Sequence, residues 1–290
     1  MACPPTRSWR SVSRSRSSDG RVAGPAANEY DAPMRVELLP SSLGAGVSRH
    51  APQFLSSYLV GDAVAIDAGS IGLLADLGRQ RRVRHVFLTH CHLDHVASLP
   101  LLVENVHEPG GEGLEVLAHQ TVLERVRRDL FNDHLWPDFF RLSTPQTTFV
   151  RATPLEPMQP VERGGLQVTP VPVTHSTHTM GMVVDDGHSC VAFAADTGPT
   201  DLLWRHLAGR PNLRAVFLEC SFPESLADLA AQVGHLCPST FAGERARLPA
   251  GVRTIVVHRK AAHAGLIEAE LAALAMPDVE LVEPGRAYEL

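Results

Sequence analysis

Short apolar runs alternate along the chain with segments whose apolar positions recur at helical spacing. The extended runs predict strands over residues 35–39, 56–60, 63–66, 83–88, 114–117, 147–151 and 166–173, and then over 181–184, 191–194, 215–218 and 254–257. The segments 71–79, 97–105, 120–130, 202–207, 224–233, 238–246 and 264–274 carry the helical pattern. Strands joined first by short turns and then by helices predict an α/β fold, two mixed β-sheets packed face to face with helices outside. No short-period repeat interrupts the alternation.

Several of these runs end in a side chain able to bind a metal. The run ending at Leu88 leads into His90-Cys91-His92-Leu93-Asp94-His95. In extended backbone, side chains two apart point to the same side, so His90 and His92 can hold one cation. Asp94 and His95, at the turn into the following helix, point elsewhere and can hold a second. His175 follows the run 166–173, Asp196 follows 191–195 and His258 follows 254–257. Asp67 sits likewise after 63–66; we read it as orienting the ligand loop through hydrogen bonds, not as a ligand. Imidazole and carboxylate without clustered thiolates suit zinc, manganese or iron(II) in a hydrolytic site better than a closed structural one. Cys91 alternates away from its histidine neighbours and reads as small buried filler.

This series of strand-end residues resembles the metallo-β-lactamase superfamily from about Met34 onward. The resemblance implies a four-layer αβ/βα sandwich over residues 34–290. It implies His90, His92 and His175 at one metal site, Asp94, His95 and His258 at a second, and Asp196 bridging both. Finer matches point to the class II 3′,5′-cyclic-nucleotide phosphodiesterases. These are Leu93 and Ser98 within the ligand motif, Phe131-Asn132 with Trp136-Pro137, Glu219-Cys220-Ser221-Phe222-Pro223, Gly234-His235-Leu236 with Pro238, and His258-Arg259-Lys260. Pro100, Ala261 and the short stretch between His175 and Asp196 depart from that pattern and bear on the nucleotide pocket.

The implied reaction is hydrolysis of cAMP, cGMP or both to the 5′-monophosphate. Its nucleophile is a hydroxide bridging two divalent ions, zinc foremost, with manganese or iron also suited. Asp94 is expected to take the hydroxide proton. A His235–Glu219 pair is expected to protonate the departing 3′-oxygen, against the plainer reading of His235 as a helix cap. The aromatic segment 131–140 is either a flap, with Trp136 on the base and Asn132 offering its amide, or a hydrophobic plug. Lys260 and Arg259 are candidates to meet phosphate; a solvated pair serves Arg259 equally. His178, His188 and His263 read as surface histidines. The alternatives are a lactonase or an RNA 3′-end nuclease on the same site, an iron oxidoreductase, or a degenerate scaffold. No Gly/Pro/basic arm for tRNA is evident, and no ligand is missing.

Composition narrows the partners. Lys and Arg number 26 against 32 Asp and Glu, and beyond the N-terminus the basic residues are dispersed, which argues against stable nucleic-acid contact. No apolar stretch is long enough to span a bilayer. Cys3, Cys91, Cys190, Cys220 and Cys237 are scattered and odd in number, so a disulfide framework is not expected and a reducing cytoplasm is. A homodimer is compatible with this reading. Residues 1–33 alternate arginine with serine, glycine and proline, a composition that stays disordered, with an organelle transit peptide as the lesser alternative. A chain starting at Met34 is expected to fold and keep full activity.

Overall fold

Residues 33–41 and 53–290 are described in a computed structural model of the chain; the expectation of disorder before Met34 lies, except for Pro33, outside the described residues. The first sheet contains β1 (Arg35–Leu38), β2 (Tyr58–Val60), β3 (Val64–Ile66), β4 (His85–Phe87), β5 (Leu114–Ala118) and β6 (Val150–Pro154). The second contains β7 (Val161–Arg163), β8 (Leu166–Pro172), β9 (Met180–Asp185), β10 (Cys190–Phe193), β11 (Leu213–Glu219), β12 (Arg253–Val257) and β13 (Val279–Leu281). β14 (Ala287–Glu289) returns to the first sheet, giving the orders β14-β1-β2-β3-β4-β5-β6 and β13-β12-β11-β10-β9-β8-β7. Each sheet is antiparallel over one part and parallel over the other: β3 to β6 run parallel, as do β10 to β13.

Three apolar clusters fill the space between the layers. The central one joins Val36, Tyr58, Ile66, Phe87 and Leu117 of the first sheet to Val168, Met182, Phe193, Phe217 and Ile255 of the second. Alternation puts the next residues on the outer faces, where Ala65, Val86 and Val116 meet α3 (Leu99–Val106) and α4 (Gln120–Asp129). On the other side Val183, Ala192, Val216 and Val256 meet α6 (Leu202–Leu207), α8 (Pro238–Arg245) and α9 (Ala264–Ala273). The result is the four-layer sandwich expected, helices outside and two sheets within.

The differences from the sequence expectation are local. The helix expected over 71–79 divides into a 3₁₀ turn at Ile71–Leu73 and α1 (Leu77–Arg82), because Asp76 caps a new start by accepting from the Arg79 amide at 3.1 Å. The helix expected from 97 is preceded by α2 (Leu93–Val96), and its own first turn waits until Leu99 while Ser98 Oγ donates to the Ala68 carbonyl at 2.9 Å. A two-part start also precedes α7 (Ala227–Val233). β7, β13 and β14 were not legible as strands, and α5 (Phe139–Leu142) lies inside the segment read as a flap.

One glycine sets how the ligand loop lies on the first sheet. A methyl group at Gly69 would stand 2.1 Å from the Asp94 carbonyl oxygen, so only glycine lets the turn after β3 pass under the loop. The Ser56 amide donates to that same Asp94 carbonyl at 2.8 Å, and the Gly69 amide to the Ser56 carbonyl at 2.9 Å.

Candidate metal centre

The strand ends of both sheets meet at one edge. β4 delivers the loop with His90 and His92 and the start of α2 with Asp94 and His95; the residues after β8, β10 and β12 bring His175, Asp196 and His258. Two groups of donor atoms form there. His90, His92, His175 and Asp196 make one, and Asp94, His95, Asp196 and His258 the other, the donor atoms of each within 4.8 Å of one another. Asp196 belongs to both: its Oδ2 is 3.7 Å from His90 Nε2 and 3.9 Å from His175 Nε2, while its Oδ1 is 3.4 Å from His95 Nε2. His258 Nε2 lies 3.0 Å from Asp94 Oδ2 and 3.4 Å from Asp196 Oδ2.

Each histidine except His92 is held from behind through Nδ1. The Thr89 hydroxyl donates to Asp67 and accepts from His90 Nδ1 at 3.0 Å. Asp67 accepts from His95 Nδ1 at 2.7 Å, and the Gly234 carbonyl accepts from His175 Nδ1 at 2.9 Å. The Ser221 hydroxyl donates to the His258 carbonyl and accepts from His258 Nδ1 at 2.9 Å. With Nδ1 carrying the proton, every one of these rings turns a bare Nε2 lone pair inward, the arrangement a cation requires. His92 turns instead with Nδ1 inward, 3.2 Å from His175 Nε2.

The atoms left over test whether a metal fits. His90 Nε2, His95 Nε2 and Asp196 Oδ1 are buried and have no hydrogen-bond partner. Unpartnered buried polar atoms are rare, because each forfeits its hydration. Three of them converging within one donor set are accounted for if the set holds divalent cations, so the residues present fit the group.

The backbone is shaped to the same end. Asp67, Ala195 and His258 have φ values of 61°, 59° and 51°, in the left-handed region that non-glycine residues seldom enter. Each lies at or next to a strand end that aims a site residue, and strain of order 1 kcal/mol apiece is retained there by the surrounding hydrogen bonds. At Gly234 (φ 72°) a methyl group would stand 2.8 Å from His175 Cα.

Electrostatics follow from the packing. Burial opposes ionisation of Asp196 and of Asp94, but the histidines around them win and hold both carboxyls below the ordinary range. Burial lowers His90, His92 and His175. It also opposes the charging of His95, but Asp196 and Asp67 outweigh it and raise that ring.

His235 and Glu219 come together as expected: Nδ1 to Oε1 is 2.6 Å, with both side chains buried. Burial would lower His235, and the hydrogen bond to Glu219 overcomes it and raises the ring. Glu219 also accepts from the amides of Thr197, Ser221 and Leu236, which tie it to the segments after β10 and β11. The plainer alternative, His235 as the cap of α8, is not what the fold shows, because Cys237 and Thr240 occupy that cap. Glu219, His235 and His258 also form a third compact donor group at the edge of the site.

The substrate expectations need correction in part. Lys260 lines a 120 Å³ pocket together with Asp94 and His258. Asn132 does not reach the site: its Nδ2 donates to the carbonyls of Arg128 and Asp129, and its Oδ1 accepts from the amides of His134 and Leu135. Trp136 packs against the outer cluster of the first sheet, so the 131–140 segment is the plug and not the flap. Arg259 is buried and paired with Glu268 rather than solvated or turned to the site. Cys91 packs on that outer cluster away from the donors but is only half-buried, with the Arg125 guanidinium 3.7 Å from its sulfur. His178 is not a free surface residue; it stacks on His119 at 3.7 Å. Sequence reasoning missed Thr89, Ser221 and the Gly234 carbonyl. Ser221 and Gly234 lay within matched motifs, but nothing in their spacing says which histidine each holds.

The family model of the beta-lactamase superfamily domain matches residues 69–258, from the turn under the ligand loop to His258. The chain belongs to the metallo-β-lactamase superfamily, and membership implies divalent metal ions. Among curated proteins it is similar to a 3′,5′-cyclic-nucleotide phosphodiesterase of Aliivibrio fischeri, 25% identical over 177 residues, 54% of this chain and 51% of that protein. The chain thus matches about half the length of that relative. Among solved structures it is similar to unliganded yeast PDE1 (TM-score 0.70, 16% identity) and to the metallo-beta-lactamase fold protein YhfI of Bacillus subtilis (TM-score 0.66, 20% identity). Each match covers 89% of this chain and 100% of the other. No helix among the described residues is long and apolar enough to cross a membrane.

Proposed function

We propose that the protein is a metal-dependent hydrolase, a dinuclear phosphodiesterase that converts 3′,5′-cyclic nucleotides to 5′-monophosphates. The observation that carries the reading is Asp196, whose carboxylate is shared by two donor groups of imidazole and carboxylate. Two divalent cations there would polarise the phosphoryl oxygens and supply water acidified toward neutrality, the requirement of a phosphodiester whose leaving group is a poor one. The protein's own groups do the rest. Asp94, 28% exposed, takes a proton from the attacking water. His235, its Nδ1 fixed by Glu219, gives a proton from Nε2 to the 3′-oxygen as the phosphorus–oxygen bond breaks. Lys260 faces the anionic substrate from the pocket wall. The similarity to the Aliivibrio enzyme favours cyclic nucleotides among the diesters such a site could take.

The test is product analysis by HPLC after incubating metal-loaded protein with cAMP and with cGMP, Asp196→Asn serving as control. Release of 5′-AMP or 5′-GMP by the intact protein alone supports the reading. No turnover of either by protein holding both metals overturns the substrate class.

A further inference from the structure

With Asn132 and Trp136 turned away, the site lacks a recognised contact for the base. The pocket that opens on Asp94 and His258 offers another. Its walls are Leu38, Gln53, Phe54, Leu55, Ser56 and Tyr58 on one side and Arg259, Lys260 and Ala261 on the other. Asp94, His258 and Lys260 give the pocket groups that suit a metal-bound anionic ligand, and Leu38, Phe54 and Leu55 give it apolar surface, with Gln53, Ser56 and Tyr58 among them.

Phe54 lines this pocket and is 59% exposed. Among the described residues it is the one exposed side chain of the Phe, Tyr and Trp set; the others are buried or half-buried, Phe222 beside the His235 ring and the rest against the clusters. Its backbone is nonetheless fixed. Ser41 Oγ accepts from the amides of Phe54 and Leu55, both at 2.9 Å, and donates to the Leu55 carbonyl. Gln53 Nε2 donates to the carbonyls of Leu39 and Leu55. An exposed ring on a clamped backbone loses little freedom when a planar ligand covers it, which is what stacking recognition requires. Gln53 adds a second signal: it lines the same pocket, and its Oε1 is an acceptor buried without a partner.

We infer that Phe54 and Gln53 form the base subsite, the base stacking on Phe54 with an N–H turned to Gln53 Oε1, while Lys260 and the metal donors meet the phosphate. The inference rests on the cyclic-nucleotide reading above and names the specificity residues for it.

Steady-state kinetics of the metal-loaded full chain test it, with the better of cAMP and cGMP as substrate and base-free ribose 3′,5′-cyclic phosphate as comparator. Stacking contributes enough that Phe54→Ala should raise KM for the nucleotide about tenfold. Its kcat should stay within about twofold, since a contact equal in ground and transition state leaves the chemical step alone. KM for the base-free diester should not change, and Phe54→Tyr should restore the nucleotide KM. Trp136→Ala should leave it unchanged. An unchanged nucleotide KM in Phe54→Ala, or an equal rise with the base-free diester, overturns the subsite and leaves the phosphodiesterase reading standing. Wild-type protein that binds its metals and hydrolyses neither nucleotide overturns both.

Discussion

Replacing Asp67 by asparagine isolates the contribution of a residue that touches no metal donor except through His95. Its carboxylate accepts from the Thr89 amide at 2.8 Å, from the Thr89 hydroxyl, and from His95 Nδ1 at 2.7 Å, all of it buried. Asparagine tolerates the left-handed backbone at φ 61° and keeps one oxygen for the Thr89 amide, so the turn survives. What changes is the second oxygen, now an NH₂ facing His95 Nδ1–H and the Thr89 hydroxyl. A buried charge-assisted hydrogen bond is worth about 1.5–3 kcal/mol. Its loss converts to about 10- to 150-fold in affinity, in line with the effect of outer-shell partners at metal sites. We expect the Asp94–His95–Asp196–His258 group to bind zinc that much more weakly, and the group with His90 to weaken less, through Thr89. Competition between metal-stripped protein and a chromogenic chelator reads both affinities. Two affinities within twofold of wild type, in a variant with native circular dichroism, refute the argument.

Asp196→Asn removes the shared charge, so bound metal should fall from two equivalents toward one or none by elemental analysis, and turnover should drop at least about 10³-fold. His235→Ala should lower kcat by about 10²–10⁴-fold with both metals retained; loss of metal from this variant would instead assign His235 to the third donor group. Away from the site, Glu115 on β5 accepts from Arg163 on β7, His85 and Thr153, tying the two sheets together. Burial would raise Glu115, but these donors outweigh it and lower the carboxyl to about 2. A carboxyl depressed on folding adds stability above its unfolded value near 4.5, and loses it as pH falls toward 2. Glu115→Gln should therefore cost about 1–3 kcal/mol at pH 7, discounted because Arg163 is a third exposed. The deficit should shrink between pH 4.5 and 2 in urea melts, and a deficit independent of pH would contradict the sign. A chain beginning at Met34 should match the full chain in melting temperature and kcat, and lower values in either would give the preceding residues a role.

The strand ends were legible because strands covered on both faces read as short apolar runs bounded by turn residues, distinct from the longer segments at helical spacing. The run 63–66 is apolar throughout, and the runs ending at Leu88 and Val257 are apolar and buried over their last three residues. β7, β13 and β14 escaped because they are short edge or near-edge strands with half-polar faces; Val161-Glu162-Arg163 carries no apolar run at all. The candidate donors could be located because each follows a recognisable strand or the turn after one, but Asp67 does so too, and the sorting into ligands and two sites came from the family resemblance. The groups behind the donors could not be located in this way. Thr89 to His90 is a neighbour contact, but Ser221 to His258 and Gly234 to His175 join segments far apart in the chain, and only the three-dimensional packing decides those pairs. The 131–140 segment misled for a related reason: aromatic content signals large buried area, and it does not say whether a ligand or the core does the burying. Phe54 gave the opposite problem, a ring whose exposure no periodicity reveals.

The most direct test of two cooperating cation groups is turnover against metal equivalents. Metal-stripped protein would be titrated with zinc while ³¹P NMR follows conversion of the cyclic nucleotide to the 5′-monophosphate. The account predicts little turnover through the first equivalent, a rise through the second and a plateau beyond it. Full activity at one equivalent, or none at two, would contradict it.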